Sequence, residues 1–178
     1  MTLAYSLLDV FADSPFQGVQ VPVVSLNGQA LSDEHKQALA SEFLQSETVF
    51  IDASSEAEPV SVFNSKGRCL FSDHTILAAS YVAYEQGLVI DKGKYSTLTF
   101  TQQKQVVECF IDKQESGPGA IQYSRTLAPT IDRYTPEIAQ LAALLNTEER
   151  HISFSKYSPM VVSVDRPVFV VPFTRPEH

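Results

Sequence analysis

Residues 69–89, CLFSDHTILAASYVAYEQGLV, constrain this chain more than any other stretch. No charge falls between His74 and Glu85, and Ile76 to Ala83 is apolar or small throughout. The segment reads as a helix over 74–87, with Gly87 suited to its C-terminal stop. A helix without a polar face must be enclosed. The neighbouring segments must therefore supply a layer on each side of it.

Those segments read as strands. AYSLLDVFA (4–12), VQVPVVSLN (19–27), ETVFIDA (47–53), VSVFN (60–64), RCLF (68–71), STLTFTQ (96–102) and QVVECFID (105–112) carry β-branched and aromatic residues between turn signals. Pro22 marks an edge or a bulge in the second of them. LSDEHKQALASEFL (31–44) is an amphipathic helix with Ser32 as N-cap and Leu39, Ala40 and Phe43 on one face. ESGPG (115–119) is a turn or boundary. Beyond it, TPEIAQLAALLN (135–146) predicts a helix with Thr135 as N-cap and Pro136 at its first position, followed by strands in MVVSV and PVFVVPF. The order of elements predicts an α+β fold, a mostly antiparallel sheet wrapped around the central buried helix 74–87. The expected division is a lobe over 1–125 and an incomplete second lobe over 126–178.

Charge and composition exclude several classes. At 44% hydrophobic and 19% charged residues the chain is globular. Its net charge of −8 opposes a phosphate-backbone partner, so no nucleic acid is expected. No apolar run approaches the ~20 residues that span a bilayer, and MTLAYSLLDVFADSP lacks the basic start of a signal peptide. Cys69 and Cys109 fit no zinc spacing and read as reduced, buried thiols of a cytoplasmic protein. His35, His151 and His178 form no metal set with His74, and neither a glycine-rich phosphate loop nor a Gly-x-Ser-x-Gly elbow occurs.

Three strings, YSLLDVFADSPFQG, LSDEHKQALASEFLQSETVFI and LFSDHTILAASYVAYEQGLV, resemble the first half of the PhzF family of phenazine-biosynthesis proteins, which share the diaminopimelate-epimerase-like fold. The resemblance is clear over 5–89 and fainter beyond. It implies two similar halves, each a sheet around a helix, of which this chain covers one and the opening of the other. It also implies an isomerase that moves a proton between carbons of a small carboxylated metabolite, with neither metal nor organic cofactor. By matching position, Glu47 in SETVF is the proton-shuttling acid and His74 the auxiliary imidazole. Gly18, Asp73 and Thr75 stand where the family binds substrate. The chain departs from the family at Gly18-Val19-Gln20, where the family has Gly-Asn-Pro, and at Asp73-His74-Thr75-Ile76-Leu77-Ala78, where it has Gly-His-Pro-Thr-x-Gly. The family's second-half Asp-Pro-x-Thr-Gly-Ser-type motif has no counterpart.

Each of these residues also has a plainer reading. Glu47 is otherwise a solvated strand-end acid, and His74 a histidine packed at a helix start. Asp73 suits an ordinary N-cap, and its charge would repel an anionic ligand there. The alternative to an isomerase is a non-catalytic homologue that binds a small ligand or serves as a dimeric interaction module. A half-length chain leaves apolar surface in 129–178 unfinished, which predicts a homodimer.

Overall fold

The computed structural model describes residues 2–14, 16–55, 59–102, 105–115, 117–164 and 167–175. His178, Ser116 and the centre of the 54–59 loop lie outside the described residues. The chain divides into two compact units, Met1–Thr126 and Leu127–His178. The fold is mixed α and β, dominated by sheet, with three α-helices among the described residues.

In the first unit a five-stranded sheet runs in sequence order: β1 (Ala4–Val10), β2 (Val19–Ser25), β3 (Thr48–Ile51), β4 (Val60–Asn64) and β5 (Gly67–Cys69). All neighbours are antiparallel except β2 and β3, which are parallel because helix α1 (Asp33–Glu42) carries the chain back between them. Alternation decides what each face meets. Val24, Phe50 and Phe63 turn to α1 and its Ala40, with Leu39 and Phe43 packed alongside. Val21, Val23, Val49, Ile51 and Val62 point into the core of the opposite face. That core belongs to α2 (Asp73–Glu85), whose Ile76, Ala78, Ala79 and Val82 are buried in it. Each large apolar side chain so enclosed contributes about 1.5–3 kcal/mol.

A second sheet has the order β6 (Ile90–Asp91), β7 (Tyr95–Gln102), β8 (Gln105–Gln114) and β9 (Gly117–Arg125), antiparallel throughout. Its Phe100, Val107 and Cys109 join the same core. Helix α2 thus lies against β1, β2 and β3 of the first sheet and against β8 and β9 of the second.

Pro22 sits inside β2, which is not an edge strand. It pairs with Leu7 on β1, but the ladder to β3 begins only at Val23, so no bond to β3 is lost at the proline. ESGPG is a turn within the first unit and not a boundary: the chain doubles back there into β9, which the glycines and Pro118 conceal in the sequence. The β8–β9 register shifts between Ile111 and Lys113, and this irregularity lets Pro118 pair with Lys113.

α2 begins one residue earlier than expected and ends at Glu85. Gly87 has φ +70°; its N–H donates to Tyr84 O (3.0 Å), and Leu88 N–H donates to Ala83 O (2.9 Å). This is a Schellman stop. Gln86 Nε2 then ties the end of the helix to Ser25 Oγ on β2 at 2.6 Å.

The second unit has a three-stranded antiparallel sheet of β10 (Thr130–Asp132), β11 (Met160–Ser163) and β12 (Pro167–Val170). Helix α3 covers Ile138–Leu144 with Glu137 as N-cap, so Thr135 and Pro136 precede the helix instead of starting it. Gln140 Oε1 accepts the Glu137 N–H at 3.2 Å, a bond available only when the helix starts at Ile138. Leu141, Ala142 and Ile152, with Val171 and Phe173 against them, form a small separate core.

Candidate active site at the amino end of α2

The expected acid and imidazole meet. Glu47 directly precedes β3, in register with Val49 and Ile51 on the α2 side of the sheet, and His74 is in the first turn of α2. His74 Nε2 lies 3.0 Å from Glu47 Oε2, with side chains 22% and 18% exposed. That is enough shielding to keep the pair fixed and enough opening to reach a ligand.

A third residue joins them that sequence reasoning passed over. The Ser72 hydroxyl donates to the same Glu47 Oε2 and lies 3.2 Å from both ring nitrogens of His74. Both bonds to the acid fall on Oε2, and Oε1 takes neither. Ser72 is also the N-cap of α2, a position expected for Asp73. The correction has a clear cause. Ser72 N–H donates to Thr75 Oγ1 at 2.9 Å, and Thr75 O–H donates to Ser72 O at 2.9 Å. This S-x-x-T closure is the reciprocal half of a capping box with threonine in the usual Glu/Gln place. It was readable as Ser72-Asp73-His74-Thr75. Thr75 is fully buried by this role.

Asp73, displaced to the first helical position, turns outward. Its carboxylate is 55% exposed and pairs with Arg125 Nη2 at 3.5 Å. Tyr123 lies on the same strand: burial, then the neighbouring side chain and charge of Asp73, push its phenol up to about 12. Ile121, Tyr123 and Arg125 are the half-buried face of β9, alternating with exposed Gln122 and Ser124. The negative charge that Asp73 brings to the mouth is therefore accompanied by a guanidinium, which reduces the repulsion expected for an anion.

Two more residues fix the approach. Gln102 on β7 accepts Phe71 N–H (2.6 Å) and donates to Cys69 O (3.0 Å), clamping the segment that leads into α2. Cys69 itself is pushed up to about 12, by burial first and then by the charge of Glu47, so its sulfur stays a thiol. Burial also raises Cys109. Neither fits the role of an acid-base thiolate. Gly18 lies at the start of β2, where its N–H donates to Asp9 Oδ1 at 3.0 Å while Gln17 N–H donates to Oδ2 at 3.1 Å. Any Cβ there would stand 2.3 Å from Val10 O. Glycine is required for this packing, whatever its part toward a ligand. Among the described residues, no three or more His, Cys, Asp or Glu side chains gather as a metal site, and no helix is long and apolar enough to cross a membrane.

With this geometry in place, the relatives can be compared. The sequence profile of the phenazine biosynthesis-like proteins (PhzC-PhzF) matches residues 8–175. The chain belongs to this family. Among curated proteins it is similar to an uncharacterized isomerase of Pasteurella multocida, 31% identical over 86 residues, covering 47% of this chain and 29% of that protein. Among solved structures it resembles a PhzF-family phenazine biosynthesis protein of Bacillus anthracis (TM-score 0.71, 20% identity, 98% of this chain and 57% of that one). It also resembles a predicted epimerase of Pseudomonas aeruginosa (TM-score 0.69, 22% identity, 97% and 60%). At such identities these structures establish a PhzF-like fold. The chain spans less than two thirds of the length of each of these three relatives.

Proposed function

We propose that this PhzF-family chain is an isomerase-type protein that moves a proton between carbons of a small carboxylated metabolite, with no organic cofactor or metal. The observation that carries the reading is the junction of Glu47, Ser72 and His74 at the amino end of α2. In this proposal the two sheets close around α2, and the mouth of that helix faces the substrate. Glu47 Oε1 exchanges the proton with carbon. Ser72 donates to Oε2 and holds the carboxylate in one orientation, a condition for general-base work at a fixed carbon. His74, with Nε2 3.0 Å from Oε2, is placed to pass a proton to or from the carboxylate. Thr75 shapes the mouth through the backbone of Ser72, and Gly18 borders it.

Proton transfer between two carbons also needs groups on the far side of the substrate. A further segment, or a second copy of the chain in a homodimer, is proposed to supply them. Sedimentation at micromolar concentration would show dimer if a second copy does so.

The chemistry is tested by incubating hydroxy- and amino-carboxylates in heavy water with the protein. Deuterium enters at carbon with the native chain and drops at least a hundredfold with Glu47→Gln. A silent panel accompanied by ligand-induced thermal stabilisation would replace the isomerase with a non-catalytic binding module.

A further inference from the structure

We propose that Gln102 is a positioning residue for the Glu47 junction: its side-chain amide joins the second sheet to Cys69 and Phe71, and thereby holds the Ser72 hydroxyl on Glu47. The proposal rests on reading Glu47, Ser72 and His74 as the acting group.

No backbone ladder joins β5 of the first sheet to β7 of the second among the described residues. Gln102, at the end of β7, bridges them with its side chain. Its Oε1 accepts Phe71 N–H at 2.6 Å and its Nε2 donates to Cys69 O at 3.0 Å. A residue in a parallel strand pair bonds its neighbour in this way, through the C=O of one residue and the N–H two positions on. The amide therefore replaces one rung of a ladder and brackets Leu70. A carboxylate only accepts and an ammonium only donates, so a primary amide is the group that serves both bonds.

The bridge is fixed on both sides. Gln102 pairs with Gln105 in the β7–β8 ladder. Two residues back, on the same face of β7, Phe100 sets its ring 5.7 Å from that of Phe71. Both aromatics are buried, at 2% and 7% exposure. Phe71 is thus held by its ring and by its N–H, and the next residue is Ser72. The Ser72 N–H and C=O close on Thr75, inside α2, so that tie moves with the helix. The Ser72 hydroxyl meets Glu47 and His74 and is the contact to be placed. Gln102 supplies the backbone anchor from outside the helix. Glu47 enters from the first sheet, Ser72 and His74 from α2, and the anchor from the second sheet. A slip of about 1 Å in this segment would break the hydroxyl's bond to the acid, and misplacement on that scale lowers rates about a hundredfold. The competing possibility is a clamp that adds stability and leaves the junction untouched.

The test uses the full chain. Gln102→Met keeps the volume and loses both bonds; Gln102→Glu keeps the acceptor for Phe71 and loses the donor for Cys69. Amide exchange of Phe71 should quicken about tenfold in Gln102→Met and less in Gln102→Glu. The ring-nitrogen resonances of His74 report its contact with Glu47. They should move in Gln102→Met as they do in Glu47→Gln, and combining the two changes should add nothing, since both act on one contact. Urea unfolding establishes that each variant is folded; if Gln102→Met does not fold, Gln102→Glu gives the same readings at smaller amplitude. Where the carboxylate panel yields a substrate, Gln102→Met should lower kcat for deuterium entry about tenfold at unchanged KM, with part recovered in Gln102→Glu. A silent panel would remove the isomerase and leave the Phe71 and His74 readings to decide the anchor. The proposal falls if Phe71 exchange quickens while His74 stays fixed, if the two changes add in the double variant, if neither probe moves, or if KM alone carries the loss.

Discussion

Two short strands with nearly the same letters meet opposite fates. β3 reads TVFI and is buried at every position; β12 reads PVFV and is exposed at every position. Phe50 of β3 is 1% exposed, whereas Phe169 of β12 is 42% exposed. Local composition does not explain the difference. β3 lies between two other strands, with α1 on one face and α2 on the other. β12 is the edge of a three-stranded sheet, and the small core of its unit is built from α3 and the residues that follow β12. A β-branched run states that a strand can be covered; the number of layers around it decides whether it is.

The most forceful way to break the comparison is to truncate both phenylalanines. Phe50→Ala removes a ring that packs edge-on to Phe63 with centroids 5.7 Å apart, and should cost about 3–5 kcal/mol in urea unfolding. Phe169→Ala should cost less than about 1 kcal/mol. A cost for Phe169→Ala near that of Phe50→Ala would show that β12 is covered in solution. If that cost also grew with protein concentration, the cover would be a second copy of the chain.

The same contrast explains what the sequence disclosed. The uncharged run of α2 and its stop at Gly87 could be read directly, because most of the run is core, although Tyr81 is 38% exposed. The faces of β2 to β4 followed from alternation. The meeting of Glu47 and His74 was legible only through family resemblance, since 27 positions separate them and no periodicity joins them. Ser72 was hidden by its neighbour. Asp73 is as good a cap type as serine, and only Thr75 three residues on distinguishes the two. Arg125 and Tyr123 were out of reach, because β9 begins in Gly-Pro-Gly, which reads as a break, and its placement against α2 is a tertiary fact.

Two glycines sharpen the difference between enclosed and open positions. Gly18→Ala would drive a methyl to 2.3 Å from Val10 O, 2.8 Å from Asp9 Oδ1 and 2.9 Å from Ala12 Cβ. The backbone oxygen cannot swing aside, so a loss of about 1–3 kcal/mol is expected, with weakened pairing at the β1–β2 end. Gly87→Ala meets nothing within 4 Å, and its cost arises only from φ +70°. About 1 kcal/mol is expected, with part recovered by Gly87→Asn, which tolerates that conformation. Equal costs for the two alanine variants, or full recovery at position 18 by a flexible side chain, would contradict the packing described.

The smallest effect concerns the charge of Glu47 without any need for a substrate. Cys69 is half-buried, and its thiol is pushed up to about 12, chiefly by burial and secondarily by the Glu47 carboxylate. At pH 8 the thiolate is then on the order of one part in ten thousand, so alkylation by iodoacetamide should be slow and should rise about tenfold per pH unit. Glu47→Gln removes the secondary cause. The thiolate gains stability, and alkylation at a given pH should quicken by a few-fold. Cys109, within β8, is fully buried and serves as the internal control, unlabelled in both proteins. An unchanged rate at Cys69 would mean that the carboxylate does not face the sulfur as an anion. The acid at the head of β3 would then be turned away from the mouth of α2, and the role assigned to the Ser72 hydroxyl would lose its basis.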